Sequence, residues 1–167
     1  QSVSARAPRL VIGGTGSGCG KTTITCALLQ AFVEQGLDTA AFKCGPDYID
    51  PMFHSRIIGT RSRNLDAFLC GREQVPALLQ RSAGRDISVI EGVMGYYDGL
   101  AGTSSENSTA DIARLTQSPT VLVVSAKGMS LTLAALLRGF LQFEQNTIRG
   151  VILNGISPRM TDYYAGI

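Results

Sequence analysis

The chain of 167 residues is long enough for one domain with a sizeable core, and 44% apolar against 17% charged residues excludes a disordered chain. A formal net charge of +2 is too small to argue for a nucleic-acid partner, and no apolar run approaches the ~18 residues of a membrane span. Cys19, Cys26, Cys44 and Cys70 show no CxxC spacing and His54 is the single histidine, so no zinc set is expected, and free thiols in a reducing cytoplasm are.

The opening "QSVSARAPR" lacks an apolar core, and residues 1–8 are expected to lie outside the folded unit. "RLVIGG" is then a short apolar run ending in glycine, as a buried strand would be. "KTTITCALLQAFVEQG" places Ile24, Ala27, Leu28, Ala31 and Phe32 at helical spacing, with Gly36 at the C-terminal cap. "DTAAFKCG" is a second strand. Residues 45–71 carry no long periodic element and read as a structured loop with short helices. "REQVPALLQRSAG" reads as a helix, Pro76 being tolerable only in its first turn. "DISVIEG" is a strand, followed by a Gly/Ser-rich loop, and "STADIARLTQ" is a short helix opened by a capping hydroxyl. "PTVLVVSAKG", "SLTLAALLRGFLQFEQ" and "IRGVILNGI" complete the chain as strand, helix and strand. Five apolar strands alternating with helices predict a doubly wound, mainly parallel sheet in a three-layer α/β/α fold, with ligands at the C-terminal strand ends.

The stretch between the first strand and the first helix is "GGTGSGCGKTT". Glycines allow consecutive backbone N–H groups to face phosphate oxygens, and the helix behind them adds its positive end. A strand, a Gly-rich loop closing in Gly20-Lys21-Thr22 and a helix form the context of a P-loop. Gly14, Thr15, Gly16, Ser17, Gly18, Gly20, Lys21, Thr22 and Thr23 are the candidate phosphate-binding residues. Lys21 would reach the β- and γ-phosphates, and the Thr22 hydroxyl would ligate Mg²⁺. The pattern departs from the strict form, with Thr15 where a glycine is usual and Gly14 one step earlier. Glu91 ends an apolar strand expected beside the P-loop strand, the position of a carboxylate that completes a magnesium site. Asp47 follows the second strand and emerges at the same sheet edge. Asp50 competes with it, although its place before Pro51 suits a turn.

"GTGSGCGKTT", "FKCGPDYIDPMFH", "NLDAF", "VIEGVMGYYDG" and "STADIARL" resemble the N-terminal synthetase domain of the cobyrinate a,c-diamide synthase family, related to dethiobiotin synthetase. The resemblance runs from about residue 9 to residue 160. It implies an ATP- and Mg²⁺-dependent carbon–nitrogen ligase that amidates the a and c acetate carboxylates of cobyrinic acid, or of a closely related tetrapyrrole, through an acyl phosphate. On this reading Lys21, Asp47 and Asp98 are catalytic, and Thr22, Asp47 and Glu91 hold the metal. Lys43, Tyr48, Tyr97 and Asp98 face the substrate, Tyr96 joins the tyrosines against a flat macrocycle, and Asn154 reads the adenine edge. Where the family has an acidic residue before Ala-Arg/Lys-Gly, this chain has Ser125, which brings no charge. The family continues into a glutamine amidotransferase domain with a Cys nucleophile and a His partner. One histidine and the few residues after Asn154 are not expected to hold it, so a missing domain or a partner would supply ammonia. Relatives are often dimers, so a homodimer is among the expected states, and no nucleic-acid or membrane partner is expected. Two other readings share these motifs: a dethiobiotin-synthetase-like carboxylating enzyme, and a partitioning-type ATPase switch. The latter typically has a second lysine where this chain has Gly16 or Ser17.

Overall fold

The computed structural model describes residues 7–45, 62–65, 71–81 and 83–167. Asp47, Tyr48, Asp50, His54 and Cys70 lie outside the described residues, so the expectations placed on them stay readings of the sequence.

The strands are β1 (Arg9–Gly14), β2 (Thr39–Cys44), β3 (Ser62–Leu65), β4 (Ile87–Glu91), β5 (Thr120–Ser125) and β6 (Ile148–Asn154). They form one sheet in the order β3-β2-β4-β1-β5-β6, and every pairing is parallel. The helices are α1 (Lys21–Glu34), α2 (Val75–Gln80), α3 (Thr109–Leu115), α4 (Thr132–Gln142) and α5 (Thr161–Ala165). The five expected strands are all present. β3 is an addition within the segment read as loop, and it extends the sheet by pairing Ala41 with Ser62 and Cys44 with Leu65.

Alternation along the strands sends side chains to both faces. Ile12, Ala41, Val89 and Val123 pack with Leu29 of α1, and Ile24, Leu28 and Phe32 close that side. On the other face Val11, Phe42 and Ile90 meet Val75 and Leu79 of α2 and Ile112 of α3. Leu122 and Val124 meet Leu133 of α4 and the fully buried Tyr96. A sheet covered on both faces explains the near-continuous apolar runs of its strands. Ala7 is 2% exposed and Pro8 O accepts from Ser88 N–H, so these two residues belong to the folded unit, from which the composition had left them out.

Local rules set the helix ends. Gly36, at φ +79°, donates to Val33 O while Leu37 donates to Phe32 O, the paired closure that favours glycine after a helix. Pro76 falls in the first turn of α2, where its missing N–H costs nothing. Ser108 accepts from Asp111 N–H at 3.2 Å and caps α3.

Candidate functional site

β1 lies at the centre of the sheet, flanked by β4 and β5, and the Gly-rich loop leaves its C-terminal end. This is where an open parallel sheet offers a crevice. Gly14 explains the displaced glycine of the loop. A Cβ there would lie 2.5 Å from Cys19 Sγ and 2.9 Å from Lys21 Cδ, so the chain folds back on this residue at a distance only hydrogen permits. Thr15 N–H donates to Val123 O at 3.2 Å, which ties the next residue to β5 and takes that N–H out of the cradle. Gly18 and Gly20 have φ of +73° and +101°, and Gly20 caps α1. Ser17, Gly18 and Thr23 are exposed, and Gly16 is half-buried.

Lys21 is 8% exposed and folds back over the loop. Its Nζ donates to Gly16 O and Met94 O, both at 2.8 Å. Thr22, on the next position of α1, donates its hydroxyl hydrogen to Glu91 Oε1 at 2.6 Å. The strand register sets Glu91 beside Ile12 of β1 and Lys43 of β2. Lys43 Nζ is 3.8 Å from the same Oε1. Lys43 and Glu91 are 3% and 1% exposed, so Lys43 is a buried counter-charge to the carboxylate and not a solvated lysine.

Asn154 also arrives at the loop. Its Nδ2 donates to Cys19 O at 3.0 Å and its Oδ1 accepts from Gly155 N–H at 2.9 Å. Spacing cannot reveal this bridge across 135 positions.

The segment after β4 behaves differently from its sequence reading. Tyr96 N–H donates to Gly14 O at 2.8 Å, and its ring then runs back along the sheet to bring the hydroxyl 3.4 Å from Thr120 Oγ1. Thr120 opens β5, so the phenol ends at the sheet edge opposite the Gly-rich loop. Tyr97 donates to Phe140 O at 2.6 Å and its ring contacts Phe140 and Phe143, lining an apolar hollow of about 430 Å³ beside α4. Neither tyrosine brings its hydroxyl to the Gly-rich loop. Burial, with the Tyr96 and Glu144 groups nearby, pushes the Tyr97 phenol up to about 12. Asp98 is exposed, and its Oδ2 accepts from Gly95 N–H at 2.8 Å while its own N–H returns to Gly95 O. The aspartate therefore closes a turn. Among the described residues Cys19, Cys26 and Cys44 are free thiols, and no helix is long and apolar enough to cross a membrane.

The arrangement thus joins a Gly-rich turn, a helix start, an ammonium and a hydroxyl–carboxylate pair at one sheet edge. A family model described as the CobQ/CobB/MinD/ParA nucleotide binding domain matches residues 10–166. The chain belongs to this family.

Within the CobQ/CobB/MinD/ParA family, the chain is 49% identical over 152 residues to the hydrogenobyrinate a,c-diamide synthase of Streptomyces coelicolor, a match that covers 90% of this chain and 31% of that protein. It is 46% identical over 153 residues to the cobyrinate a,c-diamide synthase of Thermoplasma volcanium, covering 91% of this chain and 34% of the other. The chain therefore spans about a third of the length of these curated relatives. Among solved structures, the kinase domain of the Escherichia coli tyrosine kinase ETK superposes with a TM-score of 0.65 at 15% identity, over 93% of this chain and 70% of that one. That likeness shows the fold. The chain is accordingly a nucleotide-binding domain.

Proposed function

We propose that this domain binds ATP with Mg²⁺ and activates the a and c acetate carboxylates of cobyrinic acid, or a closely related tetrapyrrole, for amidation. A carboxylate oxygen attacks the γ-phosphorus, the bond from that phosphorus to the β–γ bridging oxygen breaks, and ADP leaves. Ammonia then attacks the acyl carbon and gives up one proton, the bond to the phosphate oxygen breaks, and inorganic phosphate departs with the amide left behind. The observation that carries this reading is the meeting of Lys21, Thr22 and Glu91 at the mouth of the Gly-rich loop. The relatives' names supply the substrate class.

Lys21 suits phosphoryl transfer because catalysis there is mainly positioning and charge neutralisation. Its ammonium needs only to move from a carbonyl to a phosphate oxygen. Thr22 Oγ1 and Glu91 Oε1 are two hard oxygens already 2.6 Å apart. Among the described residues no group of three or more His, Cys, Asp or Glu could form an all-protein metal cage. Two protein oxygens completed by phosphates and water are what Mg²⁺ accepts, and Asp47 is the further carboxylate that the sequence offers. When bound, the ion would neutralise phosphate charge. Lys43 keeps the Glu91 carboxylate in place as a buried anion, a different duty from attracting substrate.

The ammonia source, on this proposal, is a glutaminase domain or subunit. The chain, given ATP, Mg²⁺, ammonium and cobyrinic acid, should yield products heavier by amide substitution, and K21A should lose them. Tight ATP binding without amidation, even with an added glutaminase domain and with hydrogenobyrinic acid as a second substrate, would overturn the assigned substrate. No ATP binding would overturn the nucleotide reading itself.

A further inference from the structure

Asn154 is the last residue of β6 and is held at three points. Its carbonyl accepts from Ala126 N–H at 3.1 Å, its Oδ1 accepts from Gly155 N–H at 2.9 Å, and its Nδ2 donates to Cys19 O at 3.0 Å. A backbone donor on one side and a backbone acceptor on the other leave a single orientation of the amide. The Nδ2 group also presses against Gly20, where any Cβ would overlap it, and Gly20 has φ +101°. Loop and amide are thus fitted to each other at closest approach.

The carbonyl that Asn154 holds belongs to the peptide between Cys19 and Gly20. In a trans peptide the C=O and the following N–H point in opposite directions. Fixing Cys19 O toward β6 therefore turns Gly20 N–H away from β6 and into the loop, where a row of such groups makes an anion cradle. From this geometry we infer that Asn154 is a positioning residue of the phosphate loop, setting the Cys19–Gly20 peptide through one N–H of its amide, while the second N–H and the second oxygen lone pair stay available to a nucleobase. The inference rests on the nucleotide reading of the loop and adds a second duty to the adenine contact expected from the resemblance. β6 lies at one edge of the sheet, so the bond also ties the edge strand to a loop that leaves the central strand.

A base-free ligand separates the two roles. Binding of ATP, GTP and inorganic tripolyphosphate, each with Mg²⁺, is measured by calorimetry on the wild type and on N154A and N154L. Leucine is nearly isosteric with asparagine, fills the space beside Gly20 and keeps the test alive should N154A not fold. Loss of one positioning hydrogen bond predicts an affinity for tripolyphosphate lowered about 5- to 10-fold, with ATP and GTP weakened at least as much. A purely structural role would lower the unfolding midpoint and leave the affinity of the folded protein unchanged, which would overturn the inference. ATP weakened alone, with tripolyphosphate unaffected, would return Asn154 to the base and overturn it as well. A wild type that binds neither ATP nor tripolyphosphate would instead sink the nucleotide reading, and the inference with it.

Discussion

The hydroxyl of Thr22 and the carboxylate of Glu91 meet at 2.6 Å, joining the first turn of α1 to the last residue of β4. A neutral donor on a buried carboxylate is a strong pairing, and it holds both oxygens beside the Gly-rich loop. E91Q keeps an oxygen for the Thr22 hydroxyl and removes the charge. ATP affinity measured in a chelator should stay within about 2-fold of wild type, while the gain on adding Mg²⁺ falls by about 10-fold or more. An undiminished magnesium effect in E91Q would remove Glu91 from the metal site.

Lys43 and Glu91 are almost fully buried with 3.8 Å between Nζ and Oε1. Removing one member takes a close opposite charge away from the other, which keeps its remaining partners. K43M should lower stability by about 3 kcal/mol in urea unfolding, and the K43M/E91L double variant should lose less than the sum of its parts. Simple additivity would mean the two charges do not depend on each other.

Gly14 and Gly16 make a matched contrast within the loop. A Cβ at Gly14 would stand 2.5 Å from Cys19 Sγ, whereas at Gly16 nothing lies within 4 Å. G14A should cost about 1–3 kcal/mol in thermal unfolding and G16A less than about 0.5 kcal/mol. Equal losses would show that the fold-back at Gly14 is not the tight point.

Tyr97 gives a pH dependence of known sign. Its phenol is held neutral by burial first and by the negative charge of Glu144 among the lesser causes, and its pKa rises from 10.0 to about 12. The folded state therefore keeps a proton that the unfolded chain gives up. The contribution is fully present below pH 10 and is lost as pH rises from there to about 12. Unfolding midpoints at pH 9 and pH 11.5 should fall less in Y97F than in the wild type. The same fall in both proteins would exclude Tyr97 as the group responsible.

The sheet and the P-loop were legible because each has a local signature: apolar runs broken by helical spacing, and lysine with threonine after closely placed glycines. β3 has no such mark. Ser62, Arg63, Asn64 and Leu65 show no apolar run, and their placement comes from the backbone ladder to β2. Glu91 was found because it ends an apolar strand. The direction of Tyr97 could not be read, because residues after a strand turn toward whichever neighbour accepts them, and here that is α4. Asn154 was legible as a strand-end amide, but its grip on Cys19 O depends on the tertiary approach of β6 to the loop.

Lys21 holds two carbonyl oxygens, one on its own loop and one on Met94, a non-glycine residue at φ +51°. The third N–H of the ammonium has only Cys19 Sγ, at 3.9 Å, so an arriving phosphate oxygen would take the place of that weak partner or of a carbonyl. What the exchange gains is an anionic acceptor for a neutral one, a difference that salt screens. On the proposed reading, the gain at this ammonium would lie chiefly in the sign of the charge it meets. The Met94 carbonyl sits three residues beyond Glu91, so the ammonium ties the Gly-rich loop to the segment that follows the strand carrying the carboxylate.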